Sequence, residues 1–181
     1  AAADAHSASV LLAPEIRFGN RQLGPRFYHR LTGLQFERAL PGCFPYLSGC
    51  CLLITTDCHP LPRFDETFFL YGEDVELGWR LPLESGVSRY VAEATVVHEG
   101  SASSGLGTAF YEAHMVAGHW ILAHRLARGP IDALVLRAMR VPVLSVRALV
   151  RAARYRSWTP IRALHHGVRL AKQALRRETR A

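Results

Sequence analysis

The 181 residues contain no uncharged apolar run of 18, which excludes a conventional membrane-spanning helix within them. The opening stretch, AAADAHSAS, lacks the basic start and long apolar core of a secretory signal. Methionine is confined to Met115 and Met139, and the chain opens on Ala1. Residue 1 is therefore not expected to be a translation start, and the chain is expected to be a piece of something longer. Paired C-x2-C knuckles are missing too. Cys43, Cys50, Cys51 and Cys58 follow a C-x6-C-C-x6-C spacing, which is not that of a structural zinc site. Reduced, partly buried thiols are the expectation, and with them a cytosolic compartment. There is no internal repeat.

Charge is present but divided. The net charge of +7 is the sum of an acidic and a basic region. Residues 1–124 hold 8 Lys/Arg and 13 Asp/Glu, a balance of −5. Residues 125–181 hold 14 Lys/Arg and 2 Asp/Glu, a balance of +12. The two regions are expected to meet different partners.

Along the chain, ASVLLAPEIRF reads as a strand that leaves into a loop at Pro14. Residues 19–45 are rich in Gly, Pro and Arg, with one short helix expected near Leu34 to Ala39. Cys51 to Thr56 is a short β-prone run behind Gly49, consistent with a buried strand. A short helix is expected from Glu73, ending near Leu81 because Pro82 would clash with the carbonyl of Gly78. RYVAEATVVH reads as a strand ending at His98. After the small-residue loop EGSASSGLG, TAFYEAHMVAGHWILAHRLAR reads as a helix closed by Gly129 and Pro130. Strand, helix, strand, loop and helix make an α/β chain with too few strands for a complete doubly wound sheet.

The densest chemistry lies in FDETFFLYGEDVELGWRL, residues 64–81. Glu73 and Asp74 sit side by side directly after Phe68, Phe69, Leu70 and Tyr71. Acids in a helix first turn are favoured by its unpaired amides and dipole, and that alone accounts for the dipeptide in isolation. The apolar company points further, to a carboxylate held in a partly dry cleft. A strand that ends in His98 and runs into Glu-Gly-Ser could return an imidazole towards that pair. His114, His119 and His124 are spaced five apart and share no helix face, so they read as structural or surface residues. Trp79 and Trp120 read as core, and Phe110 and Tyr111 as either core or the lining of an acceptor cleft.

In order, YLSGCCLLI, FDETFFLYGEDVELGWRL and YVAEATVVHEGSASS resemble the C-terminal half of the inverting family 2 glycosyltransferases. The resemblance is strongest to their rhamnosyltransferase-like branch and covers roughly residues 9–128. It implies a partial GT-A fold, a Rossmann-like α/β sandwich of which residues 1–129 supply the acceptor-side half. It also implies a nucleotide-sugar donor, a glycan or polyprenyl-linked acceptor, and a role in cell-wall or surface polysaccharide synthesis. Residue by residue, Glu73 and Asp74 take the Glu-Asp motif, with Asp74 favoured as general base and Glu73 orienting the acceptor or substituting for it. Gly49 and Asp65 fall on substrate-side motif positions. Trp79, inside the motif helix, is a further substrate-side candidate. His98 falls on the family's metal-proximal histidine, beside a Mg2+ or Mn2+. The family's Asp-x-Asp metal motif does not occur in this sequence, so the isolated chain is expected to be inactive. A non-catalytic basic adaptor that keeps a transferase-like remnant is the alternative.

Residues 130–181 are expected to form basic amphipathic helices broken at Pro142 and Pro160. At about 100° per residue, Arg137, Arg140, Arg147, Arg151 and Arg154 share one arc, with Leu, Val, Ala and Met on the remainder. That pattern predicts attachment to an anionic membrane surface on the cytoplasmic side. A helix packed on the parent domain with its arginines in water is the competing arrangement. Nucleic acid is not expected, since neither an aromatic platform nor a recognised motif accompanies the charge.

Overall fold

The computed structural model describes residues 11–19, 21–55, 62–83, 86–99 and 105–178. Thr56, Cys58, most of the small-residue loop after Glu99, and Arg180 lie outside these. The chain forms two compact units. One comprises Ala1–His29, Leu34–Phe64 and Asp74–Gly100, and the other Arg30–Gly33, Asp65–Glu73 and Ser101–Ala181. A division at residue 129 is not what the packing draws, because the helix that precedes Gly129 belongs with the tail.

The first unit is built around β1 (Leu11–Phe18). Its Leu11, Leu12, Ala13 and Ile16 are buried, so this strand is driven inward by its own composition. β2 (Arg21–Leu23) pairs antiparallel with its second half. β3 (Arg26–His29), β4 (Gln35–Phe36) and β5 (Cys43–Tyr46) form a separate antiparallel sheet with β3 in the middle. β6 (Leu53–Ile54) pairs antiparallel with Leu11 and Leu12. α1 (Glu73–Arg80) follows, and β7 (Ser88–Val97) then runs parallel to β1 along its length. Leu11, Ala13, Leu47 and Leu77 form the core between strand and helix, with Leu52, Ile54, Leu81, Leu83 and Tyr90 packed against it.

Three local expectations are corrected here. Pro14 does not end β1, because the register with β7 shifts between Pro14 and Glu15, and such an irregularity tolerates a residue without an amide proton. The short helix near Leu34 to Ala39 is instead β4, whose Phe36 pairs with Phe27. The strand behind Gly49 is shorter than expected, only Leu53–Ile54 among the described residues.

The second unit is helical. α2 (Ala109–Arg125) starts at Thr108, whose side chain accepts from the Tyr111 amide at 3.1 Å. α3 (Pro130–Tyr155) carries proline in its first turn and continues through Pro142, contrary to the expected break. It is pinned on both sides of that residue, by the buried Leu136 and Arg140 before it and Leu144 and Ala148 after it. α4 (Thr159–Glu178) turns Pro160, Ala163, Gly167 and Ala171 inward. A Cβ on Gly167 would run into Val116 and the Ala113 carbonyl, so these small residues allow α2 and α4 to touch closely.

Three of the five arginines in the α3 arc, Arg140, Arg147 and Arg151, point inward, opposite to their predicted orientation, while Arg154 stays exposed. Arg140 is fully buried and donates to the carbonyls of Leu31 at 2.6 Å and Arg30 at 3.0 Å. Arg147 and Arg151 both bind the buried carboxylate of Glu112 on α2, at 3.0 and 2.7 Å. Arg151 also lies over the rings of Tyr111 and Tyr155. These partners outcompete water because a buried Glu112 requires cations. In consequence α3 turns its aliphatic side outward: Ile131, Leu134, Val141, Val146, Leu149 and Val150 are all exposed.

Candidate functional site

Asp74 enters α1 at its first turn, where acids are favoured by unpaired amides. Its Oδ1 accepts from the Val75 amide at 2.8 Å, and its Oδ2 from the Gly49 amide at 3.3 Å. The carboxylate thus ties the helix start to the loop after β5. Gly49 is closely neighboured: a Cβ there would stand 3.3 Å from Asp74 Cβ, a tight contact, and 3.5 Å from Phe64 Cζ, an ordinary one. Tyr46 is buried beside this carboxylate. Burial, and then the negative charge of Asp74, push the Tyr46 phenol well above its ordinary value. Asp74, Tyr46, Leu47, Leu77, Leu11 and Ser88 line one narrow crevice. Its apolar lining comes from Leu11, Leu47 and Leu77, not from Phe68, Phe69, Leu70 and Tyr71, which precede the acid pair in the sequence.

The other acids of α1 are held differently. Glu73 Oε2 is buried without a hydrogen-bond partner among the described residues, an arrangement that most buried polar atoms avoid. Glu76 is buried and bound by Arg80 at 2.6 Å, and Arg80 also donates to the Arg63 carbonyl. Trp79 packs against Phe44, with ring centroids 5.0 Å apart, and borders an open cleft of about 290 Å³ with Cys43, Pro45, Gly78 and Pro82. Gly78 is required at this place because a Cβ would collide with Tyr46.

Asp65 is not brought to Asp74 by any contact described. It belongs to the helical unit, where it accepts from the Thr67 amide at 2.9 Å and from Arg125 at 2.6 Å. Burial pushes its carboxyl up, but the bonds from Arg125 and Thr67 outweigh burial and hold it below the ordinary aspartate value. Phe69 and Phe110 meet edge to face at 6.2 Å. Phe110 separates two surface clefts, one lined by Phe69, Leu70 and Ile121 and the other by Thr159, Arg162 and His166. Tyr111 instead packs on Tyr71 and under Arg151.

His98 follows β7, its amide donating to the Arg17 carbonyl at 2.8 Å and its side chain exposed. At the other end of that strand, Ser88 Oγ donates to the Leu81 carbonyl just past α1. Among the described residues no three His, Cys, Asp or Glu side chains converge as a metal-binding set. One imidazole falls short of what a hard divalent cation requires, which is several oxygen ligands. The described residues therefore do not make a divalent site on their own.

Tyr46, Gly78 and the Glu112–Arg147–Arg151 cluster were not singled out from the sequence. A lone carboxylate on the apolar face of α2, between Tyr111 and Ala113, is the signal that would have revealed the cluster.

Two curated proteins of Mycobacterium tuberculosis, from strains CDC 1551 / Oshkosh and ATCC 25618 / H37Rv, are each 34% identical to the chain over 158 residues. Both are named N-acetylglucosaminyl-diphospho-decaprenol L-rhamnosyltransferase. The chain is similar to a glycosyltransferase. The match takes in 79% of the chain and 50% of each relative, so the chain spans about half the length of the curated relatives it matches. No family model matches, and no solved structure does. Among the described residues, one mixed sheet, one antiparallel sheet and four helices are consistent with a glycosyltransferase-like domain.

Proposed function

We propose that this chain is the acceptor-side half of an inverting glycosyltransferase of family 2 and GT-A type, with Asp74 as its general base. The sugar, with rhamnose the leading candidate, passes from a nucleotide-sugar donor to a hydroxyl of a glycan or polyprenyl-linked acceptor. The observation that carries this reading is the Asp74 carboxylate, tied to Gly49 at a helix start beside a buried tyrosine. The likeness to rhamnosyltransferases, whose name specifies a decaprenol-linked acceptor, supports the substrate class.

In the proposed reaction, Asp74 takes the proton of the attacking hydroxyl as its oxygen bonds to the anomeric carbon. The bond from that carbon to the diphosphate oxygen breaks, its electron pair leaves with the nucleoside diphosphate, and attack from the opposite face inverts the centre. Glu73, next to Asp74 at the same helix start, orients the acceptor. Trp79 offers an aromatic edge to the cleft it borders. Asp65, already engaged by Arg125, holds its own loop in place. A Mg2+ or Mn2+ near His98 would supply charge compensation for the diphosphate when bound. A peripheral position on the cytoplasmic face of the plasma membrane belongs to the same reading, since a prenyl-linked acceptor keeps its sugar at a membrane surface.

The test is transfer by the whole protein from a nucleotide-activated deoxyhexose to decaprenyl-diphospho-N-acetylglucosamine, with Asp74→Asn and Glu73→Gln in parallel. Asp74→Asn should lower kcat by about a hundredfold or more with donor KM little changed. Near-normal turnover in Asp74→Asn together with collapse in Glu73→Gln would transfer the base role to Glu73. Absence of transfer to any prenyl-linked acceptor would overturn the substrate class.

A further inference from the structure

The outward side of α3 is the least expected surface of the molecule. Ile131 is 81% exposed, Leu134 68% and Val150 61%, with Val141, Val146 and Leu149 between them. These residues recur at helical spacing, so they form one stripe about 29 Å long from Ile131 to Val150. Ser145 is its single polar side chain. A patch of this length is far more than scattered exposed leucines, and continuous apolar patches of this kind mark an interaction surface.

Three observations identify the occupant. First, the stripe offers almost nothing to hydrogen bond with, whereas protein interfaces carry about one hydrogen bond per 100–200 Å². Second, α4, the next helix of the same unit, exposes Arg162, His166, Arg169, Lys172 and Arg177. That face would repel a second copy of itself and complements anionic headgroups. Third, Trp158, in the turn between α3 and α4, is 70% exposed, and tryptophan partitions to the headgroup level of a bilayer. None of the described helices is apolar enough to cross a membrane, and the inward arginines of α3 explain why: this helix can lie in the interface but not span it.

We infer that α3 inserts its aliphatic stripe among lipid acyl chains, lying in the membrane plane, with Trp158 and the basic face of α4 at the headgroups. This deepens the membrane part of the reading above and reverses which side of α3 does the binding. It needs neither Asp74 nor a sugar donor, so its outcome is independent of the transfer chemistry.

The experiment is co-sedimentation of the whole protein with phosphatidylcholine vesicles and with phosphatidylcholine–phosphatidylglycerol vesicles, at low and high salt. The chain should bind both, bind the anionic vesicles more tightly, and keep its binding to phosphatidylcholine as salt rises. Leu134→Glu/Val146→Glu changes two exposed positions and should leave the melting temperature unchanged while weakening partitioning by more than about tenfold. Vesicles should shift tryptophan emission to the blue, and Trp158→Phe should remove that shift. Three outcomes overturn the inference: no sedimentation, equal sedimentation of the double variant, or loss of all binding at high salt. A concentration-dependent dimer dispersed by the double variant would assign the stripe to a second copy instead.

Discussion

The Gly49 amide donates to Asp74 Oδ2 at 3.3 Å, and a Cβ on the same glycine would stand only 3.3 Å from Asp74 Cβ. The contact makes Gly49 a positioning residue for the proposed base. Its backbone does not need glycine's left-handed conformation, so the cost of alanine is the tight 3.3 Å approach to Asp74 Cβ alone. Gly49→Ala should displace the carboxylate by a few tenths of an ångström. Turnover should fall by about tenfold, since misplacement of a reacting group by 1 Å can cost about a hundredfold, while stability changes by less than about 1 kcal/mol. Steady-state kinetics with a urea melt separates the two. Unchanged kcat would show that the Asp74 position is not tightly demanded.

Glu112 is the most committed charge in the helical unit, fully buried and shared by Arg147 and Arg151. Removing one partner of such a cluster leaves uncompensated buried charge, a loss of about 3–5 kcal/mol. Glu112→Gln should lower unfolding free energy by about 3 kcal/mol in urea, with the two arginines left facing a neutral amide. Arg154→Gln, at an exposed position of the same arc, should change it by less than about 0.5 kcal/mol. Equal effects from both would mean that the arc is solvated after all.

That cluster also marks where the sequence stops being readable. A helical wheel of α3 separates arginines from aliphatics without saying which side faces inward; the answer lies on α2 and in the Arg30 and Leu31 carbonyls, far away in the chain. Asp74 is the opposite case. Its place at a helix start is local and readable from the sequence, whereas its bond to Gly49, 25 residues earlier, is not. The helix before Gly129 groups with the tail because small residues on α4 let it dock on α2, a contact that composition does not announce. β4 was hidden by its two-residue length, since its pairing with Phe27 and Tyr28 rather than propensity holds it.

Asp65 gives a pH signature. Its folded-state carboxyl lies below the ordinary value of 3.8, with burial opposing and Arg125 and Thr67 prevailing. A depressed carboxylate contributes stability that is fully present above the unfolded value and is lost as pH falls through the folded one. Wild type should therefore exceed Asp65→Asn in stability by a constant margin at neutral pH, and the margin should close under acid conditions below pH 3.8. Denaturation curves of both proteins across that range check it. A margin that does not change with pH would assign the contribution of Asp65 to packing rather than charge.

The loop that delivers the acid pair depends on a glycine far from it in sequence. Tyr71 and Gly72 both adopt positive φ, 67° and 104°, and for a tyrosine such a backbone costs about 1–3 kcal/mol. Something must hold it, and α2 does. Gly118 of that helix faces the Tyr71 carbonyl so closely that any Cβ would collide with backbone rather than with a flexible side chain. Tyr71 also meets Tyr111 of the same helix at 5.2 Å between ring centroids. Gly118→Ala cannot be absorbed by a rotamer change, so the loop or the helix must move. Alanine favours the helix by about 1 kcal/mol, but overpacking of this kind costs about 1–3 kcal/mol and more when backbone is struck. The net expectation is a less stable protein, with a melting temperature several degrees lower by about 4 °C per kcal/mol. Because Glu73 and Asp74 follow Gly72 directly, transfer activity should fall further than the lost folded fraction explains. Tyr71→Gly in the same background should restore part of both, since it relieves the strain at residue 71. A Gly118→Ala protein with unaltered melting and turnover would show that the loop adapts freely, and that its strained backbone does not set the position of the acid pair.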